Sequence, residues 1–416
     1  MKPIQLRQRN FLFLQGPAGP VFWMLGQELL ERGCGVHRIN LNGGDKKDWP
    51  GEAVDYRGLP SRWSLFIDRY LRDHQITDLI LFGDCRPMHI SARGMAKLRG
   101  VNVHVLEEGY IRPDWMTFEP DGVNGHSTLS RDARWFLAQA RNLPPLPQLA
   151  PVTASFQRRA RDGLHYYTNV ALGRFRFLAY KSHRPESPIV EGVGWLKRFA
   201  LQKRRARQTA ETLARVKGKS YFILPLQLSA DYQIRIHSPF DTMQAAAEYM
   251  MVSFARYAPK DSLLVVKEHP LDSSFFNWRG FVLAKARALG MSDRILHVDV
   301  CDLAELSSKS RGMVCVNSTS GTLALASGTP VLVLGDAIYN VSGITHEGHI
   351  DQFWMAPQIP QPEVYDAFKR VLYARCLIRG GVASQSAVDA LVDGIICRLF
   401  YDPLHSLQRV ELQEVA

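Results

Sequence analysis

The chain has 416 residues, 46% of them hydrophobic and 22% charged, which is enough apolar material for two domains with their own cores and excludes disorder as the general state. Its net charge of +11 is concentrated, because residues 151–220 hold 16 Lys and Arg against 4 Asp and Glu and the remainder is close to neutral. The six cysteines (Cys34, Cys85, Cys301, Cys315, Cys376, Cys397) form no CxxC pair and no zinc-ligand spacing, which argues against a disulfide framework or structural metal and fits thiols in a reducing compartment.

The basic N-terminus leads into NFLFLQ, too short for a signal-peptide core, and reads as a first strand. No window reaches the roughly 18–20 uninterrupted apolar residues of a membrane span. A soluble or peripheral cytoplasmic protein is expected.

After NFLFLQ come a helical pattern in PVFWMLGQELLERG, a strand at VHRIN, a helix near WSLFIDRYLRDH, a strand at DLILFGD, a helix near SARGMAKLRG and a strand at NVHVLEEG. Strands alternating with helices predict βαβ units and a parallel sheet. The proline-rich NLPPLPQLAP interrupts the pattern, and the basic, aromatic-rich segment 151–219 follows as a linker or helical excursion. Alternation resumes with SYFILPLQ, a helix over DTMQAAAEYMMVSFARYA, LLVVKEHP, FVLAKARALG, ILHVDV, LAELSSKS, MVCVNSTSG, TLALASG and PVLVLG, and the tail reads as helices. The expectation is an α/β protein of two Rossmann-like domains facing a cleft, a GT-B-like glycosyltransferase architecture. Its parts are residues 1–150, the segment 151–219 and residues 220–416.

Ligands of open α/β sheets bind beyond the carboxyl ends of the strands, so strand-end residues are the candidates. In GDCRPMH, Asp84, Arg86 and His89 offer an acid, a fixed charge and an imidazole to an acceptor's hydroxyls or phosphate; a turn built on Asp84 and Pro87 competes with that reading. In LEEG, Glu107 or Glu108 can be aimed at a reacting group while its neighbour orients it, and Gly109 lets the chain turn. An ion-paired loop with Arg112 and Asp114 is the structural alternative. In VKEHP, His269 can donate to a phosphate oxygen as a nucleotide departs, Pro270 biases it to an extended backbone, and Lys267 adds positive charge. Asn317, Ser318, Thr319 and Ser320 stand between a strand and a helix, the anion-binding arrangement of hydroxyls and N–H groups. Gln227, Asp231 and His237, in LPLQLSADYQIRIHSPF, suit sugar recognition or a loop knitted by its own hydrogen bonds.

GDCRPMH, LEEGYIRPDW, LPLQLSADYQIRIHSPF, VKEHP and NSTSGTLALASGTPVLVLG, in this order over roughly residues 11–345, resemble the capsule polysaccharide synthesis and export family of the KpsS/LipB type. The carboxylate-glycine, His-Pro and Ser/Thr trio is also similar to the pattern of bacterial sialyltransferases. The resemblance implies a β-Kdo transferase that uses CMP-Kdo and a phosphatidylglycerol-type lipid acceptor at the inner face of the inner membrane. It implies no cofactor, and no metal at a donor that has a single phosphate. Glu107 or Glu108 would be the reacting-centre carboxylate, His269 the phosphate ligand, and Ser318 with Thr319 the nucleotide-phosphate binders. Retention would ask for a nucleophile or a front-face route, inversion only for a base, and both stay open. A non-catalytic polysaccharide- or lipid-binding component working with other capsule synthesis and export proteins is the alternative; a nucleotide-sugar epimerase is a third, against which the basic segment counts. No nucleic-acid motif accompanies that segment. It is expected to dock on anionic lipid through Lys203, Arg204, Arg205 and Arg207 beside Trp195, Leu196, Phe199 and Leu201, with a solvated basic face as the competing reading.

Overall fold

The four apolar runs read as strands in the first part of the chain become β1 (Asn10–Phe13), β2 (Gly35–Asn40), β4 (Asp78–Phe82) and β5 (Asn102–Glu108), and a two-residue strand, β3 (Val54–Asp55), joins them. These five are parallel in the order β3-β2-β1-β4-β5, a Rossmann-like arrangement. The computed structural model describes residues 9–147, 149–182, 188–228, 232–270, 272 and 276–401. Two additions to this sheet escape the sequence reading. An antiparallel strand, β6 (Trp115–Pro120), pairs with β5, and a late strand, Leu377–Arg379, pairs antiparallel with β6.

The described residues divide into two units, the first drawn from Met1–Leu129, Asn142–His183 and Lys369–Ala416, the second from Ser130–Arg141 and Arg184–Phe368. The expected boundaries at residues 150 and 220 therefore move, and the C-terminal helix leaves the second half. Helix Gln385–Phe400 carries Val388, Leu391, Val392, Ile395 and Ile396 on one stripe, and these join Phe11, Phe13, Phe22, Ile80 and Leu106 in the first unit's core. Burial of five large apolar side chains, each worth about 1.5–3 kcal/mol, fixes the helix to this sheet.

The basic segment is no continuous linker either. Helix Phe156–Leu172 packs on the short helix Gly43–Asp48 so closely that a Cβ on Gly43 would come 2.2 Å from the Asn169 carbonyl oxygen. Its buried Tyr166 hydroxyl donates to Asp45 (2.9 Å) and accepts from Gln15 (2.7 Å) and Asn42 (3.0 Å). Helices Pro188–Ala200 and Gln202–Val216 belong to the second unit, and the latter lies along the strand Ile295–Val298 and buries Thr209, Thr212 and Val216.

The second unit's strands are β7 (Tyr221–Pro225), β8 (Leu263–Lys267), β9 (Ile295–Val298), β10 (Gly312–Cys315) and β11 (Val331–Val333). All are parallel, in the order β9-β8-β7-β10-β11, which repeats the connectivity of the first unit. β7, β9 and β10 are buried along their whole length, as expected of strands covered on both faces. The core gathers Phe222, Leu224, Val266 and Val314 with Met250, Phe254, Trp278, Phe353 and Trp354.

Candidate functional site

In the first unit the order of strands reverses between β1 and β4, and a crevice for ligands is expected at the carboxyl ends there. Gly83 follows β4, and its positive φ of 70° turns the chain sharply and sets Asp84 at that edge. Asp84 is buried and fully engaged. Its Oδ2 accepts from Arg93 (2.6 Å), from His126 Nδ1 (2.9 Å) and from the Val123 amide (3.4 Å), while Cys85 Sγ donates to Oδ1 (3.2 Å). Gly122 is what admits this packing, since a Cβ there would fall 2.5 Å from His126 and 2.9 Å from Asp84.

Asp84 thus orients an imidazole instead of facing acceptor hydroxyls, which corrects the sequence expectation; a buried carboxylate finds its partners in the protein. His89 is corrected in the same way, because its ring turns inward and Nδ1 bonds the Gly83 carbonyl at 2.6 Å. Arg86 is half-buried with its guanidinium 5.3 Å from the Phe82 ring centre.

Strand alternation separates Glu107 from Glu108, which lie on opposite faces of β5. Glu108 pairs with Arg159 at 2.5 Å. Glu107 accepts from Asn124 Nδ2 (3.4 Å) and lies near enough to Cys85 that, after burial and Asp84, its charge helps push that thiol up. Glu107, Asp84, His126 and Arg93 therefore form one polar group at the ends of β4 and β5. His126 and Arg93 carry no motif signal. His126 sits in a one-turn helix beyond β6, and only the folded hairpin returns it to β4. An imidazole held at Nδ1 by a carboxylate has its other nitrogen set for proton exchange, and here Arg93 Nη2 stands 3.4 Å from Nε2.

In the second unit the order reverses between β7 and β10. Gln227, just past β7, and Asn317, just past β10, bond each other there. Gln227 Nε2 donates to Asn317 Oδ1 (2.8 Å), the Asn317 amide donates to Gln227 Oε1 (3.1 Å), and Asn317 Nδ2 reaches the His237 carbonyl (3.3 Å). His237 is buried. Ser318 Oγ accepts from the Ser320 amide (3.1 Å), and Thr319 O accepts from Thr322 Oγ1 (2.7 Å), which shapes the entry to helix Ser320–Ala326. Asp231 lies outside the described residues.

β8 ends in VKEHP. Lys267 is buried, its Nζ donates to the Glu268 carbonyl (3.1 Å), and burial pulls its pKa down, so the ammonium braces the strand end. His269 is half-buried and Pro270 exposed, and the His269 carbonyl accepts from the Asp272 amide (3.1 Å).

Glu268 was not singled out by sequence, yet it centres a buried ionic group. Arg198 contacts Glu268 (3.3 Å) and Asp299 (2.7 Å), Arg205 contacts Glu268 (2.5 Å) and also bonds Asp299, and His297 Nε2 meets Glu268 at 3.2 Å. Burial alone would raise the Glu268 carboxyl, but the His297 hydrogen bond and Arg205 outweigh it and hold it below the ordinary range. Arg205, expected on a membrane-facing surface, is therefore a core ion-pair residue: two acids on β8 and β9 ends require its charge.

Among the described residues no helix is long and apolar enough to cross a membrane. The profile of the family described as "Capsule polysaccharide biosynthesis protein" matches residues 77–382. The chain is 32% identical over 378 residues to the "Capsule polysaccharide export protein KpsS" of Escherichia coli, covering 89% of this chain and 96% of that protein. It is also 32% identical over 385 residues to the "Capsule polysaccharide modification protein LipB" of Neisseria meningitidis serogroup A, covering 90% and 92%. The solved structure titled "Thermosulfurimonas dismutans KpsC, beta Kdo 2,7 transferase" superposes with a TM-score of 0.46 at 14% identity, over 92% of this chain and 99% of that one.

Proposed function

This chain belongs to the capsule polysaccharide biosynthesis family, and from that premise we propose that it is a glycosyltransferase that moves Kdo in β-linkage from CMP-Kdo to a phosphatidylglycerol-type lipid. The observation that carries the reading is positional. GDCRPMH, LEEG, VKEHP and NSTSG all fall at carboxyl ends of strands (β4, β5, β8 and β10), where open α/β sheets bind and transform ligands.

In this reading the second unit holds the donor. Ser318, Thr319 and Ser320 take the nucleotide phosphate, with Asn317, Gln227 and His237 toward the sugar, and Lys267 and Pro270 shape the turn that carries His269. His269 donates to the phosphate oxygen that gains charge as CMP departs, and stabilising that charge in the transition state is what lowers the barrier. Within the first unit, Glu107 is the carboxylate for the acceptor hydroxyl, with His126 held by Asp84 to relay its proton. A lipid acceptor places the protein at the inner face of the inner membrane, near other capsule synthesis and export proteins.

The test is CMP release and glycolipid formation by purified protein given CMP-Kdo and phosphatidylglycerol. His269→Ala should lose about a hundred- to a thousandfold in rate, the typical cost of one lost oxyanion donor, with an unchanged melting temperature. A variant that turns over at the parental rate overturns the role of His269. The E. coli relative's name favours a second reading, a non-catalytic component of capsule export. Absence of both CMP release and transfer in the parental protein, with retained binding of the glycolipid, would establish that reading instead.

A further inference from the structure

The second unit carries a cavity of about 370 Å³ between helices Pro188–Ala200 and Gln202–Val216 on one side and the segment 276–283 on the other. Glu268, His297 and Asp299 lie at its floor, Phe276, Trp278, Leu201 and Leu283 form apolar walls, and Lys197, Arg204 and Arg279 complete the lining. The two floor carboxylates are already matched by Arg198 and Arg205. Lys197, Arg204 and Arg279, by contrast, have no ion pair with a carboxylate among the described residues. The cavity thus presents three uncompensated cations above a neutralised floor, a surface complementary to an anion.

A second feature adjoins it. Helix Pro188–Ala200 turns Arg198 into the buried ionic group, and its opposite face exposes Val193, Leu196 and Phe199 at 57%, 70% and 65%. Lys197 follows Leu196 directly and lines the cavity. Three large apolar side chains on one face, beside a cationic hollow, do not suit water and do suit the boundary between headgroups and acyl chains.

We propose that this cavity is a docking site for the phosphodiester headgroup of an anionic membrane phospholipid, with Val193, Leu196 and Phe199 inserted beside it into the leaflet. The cavity rests on the reading of the chain as a transferase with a lipid acceptor, and it deepens that reading by naming where the bilayer is held. Charge complementarity selects the occupant. Lys197, Arg204 and Arg279 meet the phosphate, and the walls of Phe276 and Leu283 accept the glycerol end. Its floor residue Glu268 lies between Lys267 and His269, so the cavity adjoins the strand end assigned to donor chemistry, while Lys197, Arg204 and Arg279 belong to other elements.

The experiment is co-sedimentation with vesicles of phosphatidylcholine alone and of phosphatidylcholine mixed with phosphatidylglycerol, across a salt series. Each cation close to an anionic leaflet is worth about a fivefold factor in affinity, so Lys197→Gln/Arg204→Gln/Arg279→Gln should weaken binding to the mixed vesicles about a hundredfold. Leu196→Ser/Phe199→Ser changes only exposed side chains and so guards against misfolding; it should weaken binding at low and high salt alike. Parental binding should decline as salt rises, and soluble glycerol phosphate or inorganic phosphate should compete only weakly, because neither engages the apolar stripe. Equal binding of the triple variant and the parent, no parental preference for phosphatidylglycerol, or full competition by inorganic phosphate would each overturn the proposal. CMP release measured in parallel without vesicles keeps the two readings apart. Donor turnover with unaltered vesicle binding in both variants sinks the docking site alone, whereas charge-dependent vesicle binding without any turnover sinks the transferase alone.

Discussion

Arg205→Ala isolates what the buried ionic group contributes to the second unit. The guanidinium meets Glu268 at 2.5 Å and also bonds Asp299, and the three side chains are 18%, 2% and 8% exposed. Its removal leaves Glu268 and Asp299 to Arg198 and the His297 hydrogen bond, so one largely buried carboxylate loses its counter-charge. Breaking a buried pair in this way costs about 3–5 kcal/mol, and the partial exposure of Arg205 argues for about 3 kcal/mol. In a unit of this size each kcal/mol moves the melting temperature by roughly 2–4 °C, so thermal unfolding followed by circular dichroism should fall by roughly 6–12 °C. Arg207→Ala is the matched control. Arg207 is two residues away, 84% exposed and paired with Glu211 within one helix turn, an interaction worth about 0.3–0.5 kcal/mol. Adding Asp299→Ala to Arg205→Ala restores the balance of charge, and the double variant should be less destabilised than the sum of the single ones. The reasoning fails if Arg205→Ala melts with Arg207→Ala, or if the two ionic substitutions add.

The two glutamates of LEEG should separate by kinetics. Glu107→Gln should lower kcat/KM for transfer by at least about a hundredfold, in the range of general acid–base contributions. Glu108→Gln loses only a half-exposed pair with Arg159 and should stay within a few-fold of the parent, so equal effects would break the assignment. Asp48 predicts a pH dependence in the first unit. Burial lifts its carboxyl to about 7 against the opposing bond from the Gly19 amide. The folded state then keeps a proton that the unfolded chain sheds near pH 4, and stability falls as pH rises from about 4 to about 7. Asp48→Asn should flatten that slope and gain stability at pH 8, by at most about 4 kcal/mol, less where water meets the carboxyl. Parallel curves of melting temperature against pH would refute it.

The candidate site was legible where one motif sits at one strand end and not where partners arrive from elsewhere. LEEG marked the carboxylates but not which one, because the choice depends on Asn124 and Arg159, distant in sequence. GDCRPMH marked an important turn, but Asp84 finds its partners in Arg93 and His126. VKEHP drew attention to Lys267 and His269 and passed over Glu268, whose environment is made by β9 and by two helices of the segment that looked like a basic linker.

The sequence by itself determined the two α/β halves. Alternating apolar strands and amphipathic helices are local patterns, set by side-chain periodicity and by the turn residues between them, and every strand of both parallel sheets except the two-residue β3 was visible this way. Tertiary structure decided what has no local signature. It brought Leu377–Arg379 and helix Gln385–Phe400 back to the first sheet, since an apolar stripe states that it must be buried but not against which partner. It also divided the basic segment between two units and sorted its arginines. A Lys or Arg on a helix looks the same in sequence whether it faces water, as Arg204 and Arg207 do, or closes a buried carboxylate pair, as Arg198 and Arg205 do. The difference lies in where the acids of other strands come to rest, and only long-range packing places them.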